Sequence, residues 1–277
     1  MYGLLIIASW LAAASTAAVD EVVVIADAPL RVGEEVLATV PRGAILPVLA
    51  SQDGWLWVDH APRGWIARSQ SVPLAEAEAH FTQAIQRDPE DAVALHTRAN
   101  LRLRREAYDE AASGYSAVLR LHPDASRIYN SRGAAYSGLG DPQRAIAAFS
   151  RAIELDPDYA HAYYNRGRAY YEQQQYDRAI DNFSTAIRLD PQQAWAYNNR
   201  GLAYYAQGDY ARAITDYSAA LRVDPALNEV RNNRGWAYYK QGDREQSLAD
   251  FREIARREAA PSAPRVEVGP LPTRGEP

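Results

Sequence analysis

The chain of 277 residues is long enough for two domains and short tails, and no cysteine is present, which excludes disulfide frameworks, thiol nucleophiles and sulfur-bound zinc. A net charge of −5 and an isoelectric point near 5.6 have the wrong sign for a protein whose main partner is nucleic acid. Eighteen tyrosines and six tryptophans against four phenylalanines place most of the aromatic mass on rings with a polar handle, as repeat cores and adaptable binding surfaces require.

Residues 3–19, GLLIIASWLAAASTAAV, form an uncharged apolar run that ends in small residues and is followed at once by Asp20 and Glu21. That is the form of a secretory signal, with cleavage after Ala17 or Ala18, although no Lys or Arg precedes the run. A signal peptide over 1–18 and export to the periplasm or cell envelope are therefore expected. No cysteine follows to take a lipid, and no other stretch approaches the ~20 apolar residues of a span. Once the signal is cleaved, no stable membrane span is expected.

Over 20–72 the period shortens to alternating apolar runs (VVVIA, VLATV, ILPVLA, WLWVD) cut by turns at Gly33, Gly43, Gly54 and Gly64. Strands of four to six residues at about ten-residue spacing predict a small all-β barrel. Its Pro29-Leu30-Arg31-Val32-Gly33 turn, the Gly54-Trp55-Leu56-Trp57-Val58 strand and the closing Arg63-Gly64-Trp65-Ile66 resemble the bacterial SH3-like family. The resemblance implies an envelope setting, and some members of that family bind cell-wall material or peptides. Residues 73–89 then turn helical, with Ala77, Phe81 and Ala84 at i, i+4 and i+7 and an end at Asp88-Pro89. This is the second half of a repeat without its first, and is expected to cap the helical array that begins at residue 90.

From 90 to 259 the chain repeats at a step of 34 residues. Gly133, Gly167, Gly201 and Gly235 keep step; so do Tyr136, Tyr170, Tyr204 and Tyr238, then Ala111, Ala145, Ala179 and Ala213, and then Tyr115, Phe149, Phe183, Tyr217 and Phe251. Each unit reads as two helices. Tyr197, Gly201 and Tyr204 share one face of the first, and Ala213, Tyr217 and Ala220 one face of the second. The break between them is Gly208-Asp209, repeated as Gly140-Asp141 and Gly242-Asp243, where glycine ends one helix and aspartate opens the next. Asp177 is expected to act as a helix-start cap in the same way.

These registers resemble the tetratricopeptide repeat (TPR) family, over five units starting near Ala92, Ser126, Ala160, Ala194 and Asn228. The first and last units depart from the pattern, as the ends of a solenoid do. The expected fold is thus multidomain β + α: an SH3-like β-barrel followed by an all-α TPR solenoid, with a Pro-rich tail over 260–277 expected to be disordered.

Catalytic chemistry finds no foothold. The five histidines lack metal-ligand spacing, and no nucleophile elbow, P-loop or HExxH motif occurs. Gly138-Leu139-Gly140 lacks the rest of a dinucleotide fingerprint and reads as a helix-ending turn, and Asn182-Phe183-Ser184 puts a sequon on a core register. The basic run Arg98, Arg102, Arg104 and Arg105 is followed by Glu106, Asp109 and Glu110, and reads as a self-neutralised surface or a contact with the barrel. No enzyme and no cofactor are expected. One register is unusual for the family: Arg98, Arg132, Arg166, Arg200 and Arg234 precede the Gly position, where Leu is common. A structural ladder is expected, with each Arg stem packed between helices and its guanidinium bonded to carbonyls or carboxylates near the turn.

The resemblance also implies a concave groove lined by the first helices. Carried over position by position, it assigns partner binding to Asn130, Tyr164, Asn165, Arg168, Trp195, Asn198, Asn199, Tyr205, Asn232, Asn233, Trp236 and Tyr239. Amides that bond a backbone from both atoms, beside flat aromatic rings, suit a protein or peptide segment. Lys240 is the only lysine, so the Lys–Asn clamp by which some members hold a chaperone tail is not formed. The expected function is a non-catalytic envelope scaffold that binds a protein segment in this groove. The alternative is a cell-wall-associated structural protein whose SH3-like domain holds wall polymer through Trp55, Trp57 and Trp65.

Overall fold

The structure, a computed structural model, describes residues 21–258, so the expected signal and the Pro-rich tail lie outside the described residues. The described chain falls into two compact units, divided after Leu101.

The first unit opens with seven antiparallel strands: β1 (Glu21–Val24), β2 (Ala28–Val32), β3 (Glu35–Val40), β4 (Ile45–Gln52), β5 (Trp55–Val58), β6 (Gly64–Ala67) and β7 (Ser71–Pro73). They pair in the order β3-β2-β6-β5-β4-β1-β7. The sheet is antiparallel throughout, with β3 and β7 at its edges and without closure between them, and it supplies the small β unit expected ahead of the helices. The long strand β4 links the two halves: Ile45–Pro47 pair with β1, a shift of register follows between Val48 and Ala50, and Ala50–Gln52 pair with β5. Such a shift bends a strand and lets a small sheet curl over its own core.

Side-chain alternation then sorts the residues. Val22, Val24, Leu30, Val40, Leu56, Val58 and Ile66 form one core. Val23, between two of these, points the other way and packs with Phe81 and Ala77 of α1 (Leu74–Arg87) and with Ala94 and Leu101 of α2 (Ala92–Arg104). The turn at Arg42-Gly43 locks this packing. Arg42 pairs with Asp91 at 2.9 Å, and Asp91 also accepts from the Ala94 N–H at the start of α2. Trp55, Trp57 and Trp65 are buried in a separate cluster with Ala67.

The second unit carries α3 (Tyr108–Leu121), α4 (Ser126–Gly138), α5 (Pro142–Leu155), α6 (Ala160–Glu172), α7 (Tyr176–Leu189), α8 (Ala194–Ala206), α9 (Tyr210–Val223), α10 (Asn228–Gln241) and α11 (Arg244–Glu258). Each packs mainly on its sequence neighbours, and the first helices α4, α6, α8 and α10 also touch one another in succession, as in a solenoid. Glycine is needed where the two helices of a unit meet. A Cβ at Gly133, Gly167, Gly201 or Gly235 would lie 2.5–2.9 Å from the ring of Phe149, Phe183, Tyr217 or Phe251.

Asp141 and Asp209 cap α5 and α9 by accepting from the N–H groups of Arg144 and Arg212, and Asp243 accepts from that of Gln246. Asp177 does not cap. It lies inside the first turn of α7, and its carboxylate accepts from Gln207 at 2.7 Å, tying two successive turns together. No helix among the described residues is long and apolar enough to cross a membrane.

Candidate functional site

Three side-chain systems run along the first helices. The first is the arginine register. Arg166 donates through Nε to Asn182 at 2.9 Å; Arg200 and Arg234 grip Asp216 and Asp250 with two bonds each, at 2.6–2.9 Å. Every one of these arginines, and Arg98 and Arg132 as well, also reaches back through Nη1 to a hydroxyl sixteen residues earlier: Thr82, Ser116, Ser150, Ser184 and Ser218, at 3.0–3.4 Å. The expected ladder exists, but its acceptors are side chains in the body of the second helices rather than groups near the turn. The hydroxyl register was open to reading, since it also advances by 34. The guanidiniums lie near the faces of Tyr129, Tyr163, Tyr197 and Tyr238 as well, at 5.1–6.0 Å.

The second system is an amide seam between successive first helices. Asn165 donates to Asn130 at 2.9 Å, Asn199 to the Tyr164 hydroxyl at 2.9 Å, and Asn233 to Asn198 at 3.1 Å. Asn198 also donates to Asn199 and is only 1 % exposed, so its amide is committed to the seam. Burial pushes the Tyr164 phenol up, keeping it neutral, and because it accepts from Asn199 its own proton stays free to donate outward.

The third system is what remains open. Trp195, Trp236 and Tyr239 are 39, 48 and 51 % exposed, and Asn232 is exposed beside them. Trp236 meets Tyr239 and Phe251 edge-on at 5.8 and 5.6 Å, so its ring is held in place while half its surface faces solvent. Tyr205 packs on Tyr210 at 5.2 Å and is half-buried. Between α6, α7 and α8 lies a cavity of about 210 Å³ lined by Arg168, Tyr171, Glu172, Phe183, Asn199 and Leu202. Arg168 approaches Glu172 only to 3.8 Å, and both are exposed, so its guanidinium is loosely held. The twelve assigned residues thus divide: Asn130, Tyr164, Asn165, Asn198, Asn199 and Asn233 join helices, Tyr205 packs locally, and Arg168, Trp195, Asn232, Trp236 and Tyr239 present free surface. Among the described residues no cluster of His, Cys, Asp and Glu could hold a metal ion.

Residues 139–174, 167–208 and 201–242 match the TPR repeat family, and 229–257 match the tetratricopeptide repeat family. No curated protein matches the chain. Among solved structures, MamA is 28 % identical with a TM-score of 0.54, covering 58 % of this chain and 94 % of its own. MamA from Desulfovibrio magneticus RS-1, residues 41 to the end, is 24 % identical at a TM-score of 0.56, over 60 % and 94 % of the two chains. YrrB, a TPR protein with an unusual peptide-binding site, is 23 % identical at 0.51, over 64 % and 91 %. The helical units over residues 139–257 thus match tetratricopeptide repeats, a fold that supports a protein–protein interaction scaffold.

Proposed function

We propose that the protein is a non-catalytic scaffold of the bacterial cell envelope, which holds a peptide segment of a partner protein against the first helices α6, α8 and α10. The observation that carries this reading is the exposed aromatic surface, Trp195 on α8 and Trp236 with Tyr239 on α10, on helices already joined by the Asn199–Tyr164 and Asn233–Asn198 bonds. The seam makes the surface rigid before a partner arrives, which lowers the ordering cost of binding. The rings then supply apolar area with polar edges, and Asn232 and the Tyr164 hydroxyl supply backbone-directed hydrogen bonds. A cavity of about 210 Å³ beside Arg168 takes one large side chain of the segment and leaves the guanidinium to meet a neighbouring carboxylate. YrrB, whose repeats resemble these, is itself described by a peptide-binding site. The apolar run at 3–19 supports an exported setting.

Wall-polymer binding finds less support. Trp55, Trp57 and Trp65 are at most 6 % exposed and offer no open aromatic platform. The test is cross-linked recovery from native envelopes with the wild-type chain and with Trp195→Ala combined with Trp236→Ala. Both rings are exposed, so the double variant keeps its helical circular dichroism. A discrete protein partner is expected to fall about tenfold or more in recovery, in line with aromatic anchors of this kind. Unchanged recovery of that partner would remove this face from the function.

A further inference from the structure

Within the solenoid, every second helix turns one hydroxyl toward the first helix that comes next. Ser150, Ser184 and Ser218 accept from Arg166, Arg200 and Arg234 at 3.0–3.1 Å, which fixes the direction of that face. Four residues before and three after each serine stands an apolar residue on the same face: Ile146 and Ile153, Ile180 and Ile187, Ile214 and Leu221. The inner interfaces therefore repeat one code, apolar, hydroxyl acceptor, apolar.

The last described helix, α11, breaks this code at one position. Its corresponding residues are Leu248, Arg252 and Ala255. All three are exposed, Leu248 by 51 %, so the apolar edge is kept and uncovered. Arg252 takes the place of the serine. It forms no hydrogen bond or ion pair among the described residues, whereas its neighbours Arg256 and Arg257 are both engaged by Glu253 at 2.7 Å. A serine accepts a proton from an incoming arginine, but a guanidinium can only donate. Another helix of the chain's own kind would bring arginine against Arg252, two like charges in a half-buried contact. A helix with aspartate at that position would restore one long and one short partner, with the ends exchanged.

We propose that the Leu248–Arg252–Ala255 face of α11 is a second docking surface, separate from the first-helix face, for an amphipathic helix of another protein that is apolar on its contacting side and carries a carboxylate where this chain's first helices carry arginine. The substitution rejects continuation of the chain's own repeat and selects an acidic partner by the same contact.

The test uses the full chain and two stapled helical peptides of the α10 sequence Asn228–Gln241, one native and one carrying R234D, read by fluorescence anisotropy. The R234D peptide is expected to bind about tenfold or more tightly than the native one, with a preference that weakens as salt is raised. In an Arg252→Ser chain the preference disappears or reverses, and in a Leu248→Asp chain both peptides are lost, with helical circular dichroism unchanged in each. Equal binding of the two peptides overturns the proposal, as does a preference that survives Arg252→Ser. Failure of the R234D peptide to bind the full chain overturns it too.

Discussion

Arg200 sits between three helices with its side chain 20 % exposed, and the carboxylate of Asp216 that holds it is 6 % exposed. Taking two charges that far out of water costs several kcal/mol, which two short bonds, a serine hydroxyl and a nearby tyrosine ring offset. The pair adds little net stability over a well-packed apolar contact, but either half alone is expensive. Arg200→Leu is therefore expected to destabilise the protein by about 3 kcal/mol in urea unfolding, because it strands Asp216. Arg200→Leu combined with Asp216→Leu is expected to regain a large part of that loss. A single variant as stable as the wild type would mean that the ladder carries no structural weight. The presence of this ladder was legible from five arginines in step. Its acceptors were missed because Ser184 and Asp216 lie sixteen residues to either side of Arg200, a spacing that no single helix brings together.

At the scale of the element, the turn inside each repeat keeps one geometry with varying chemistry. Glu106, Gly140, Gln174, Gly208 and Gly242 occupy the same register and all have positive φ, from 59° to 94°. The Gly-Asp pairs announced three of these turns, and the other two take the same form without glycine because the flanking helices dictate it. A side chain in the left-handed region costs about 1–2 kcal/mol, while a new glycine adds freedom to the unfolded chain worth about 0.5–1 kcal/mol. Gln174→Gly is thus expected to raise stability by about 0.5–1 kcal/mol, and Gly208→Gln to lower it by a similar amount, measured as paired shifts in denaturant midpoint. Asn165, Asn199 and Asn233 could be read as joining neighbouring helices, but their partners, like the order of the strands, were not legible for physical reasons. The amide seam joins residues 35 apart, as Asn130 with Asn165 and Asn198 with Asn233, so alignment at a step of 34 places the partners one position out of line. The edges of the sheet follow from long-range pairings, such as the single Arg31–Trp65 register between β2 and β6, that local alternation does not specify.

Along the solenoid as a whole, the arginine ladder is graded. The second-helix residue facing each arginine is Ala148 for Arg132, Asn182 for Arg166, Asp216 for Arg200 and Asp250 for Arg234. Arg132 consequently keeps a buried Nε without an acceptor among the described residues, and its bond to Ser116 is long at 3.4 Å. In a repeat array stability is close to a sum of unit and nearest-neighbour contributions, so a graded contact grades the opening of the units. Native-state hydrogen exchange should therefore show the slowest amides in α8 and α9 and earlier opening of α4 and α5, with α11 fraying as an end. Ala148→Asn supplies Arg132 with the acceptor that Asn182 gives Arg166 at 2.9 Å, in a site of the same helix geometry. It is expected to raise the opening free energy of α4 and α5 by about 1 kcal/mol and to leave α8 and α9 unmoved. Uniform exchange along the array, or a loss of protection in α4 and α5 on this substitution, would show that overall packing sets the order of opening and that the ladder contributes only register.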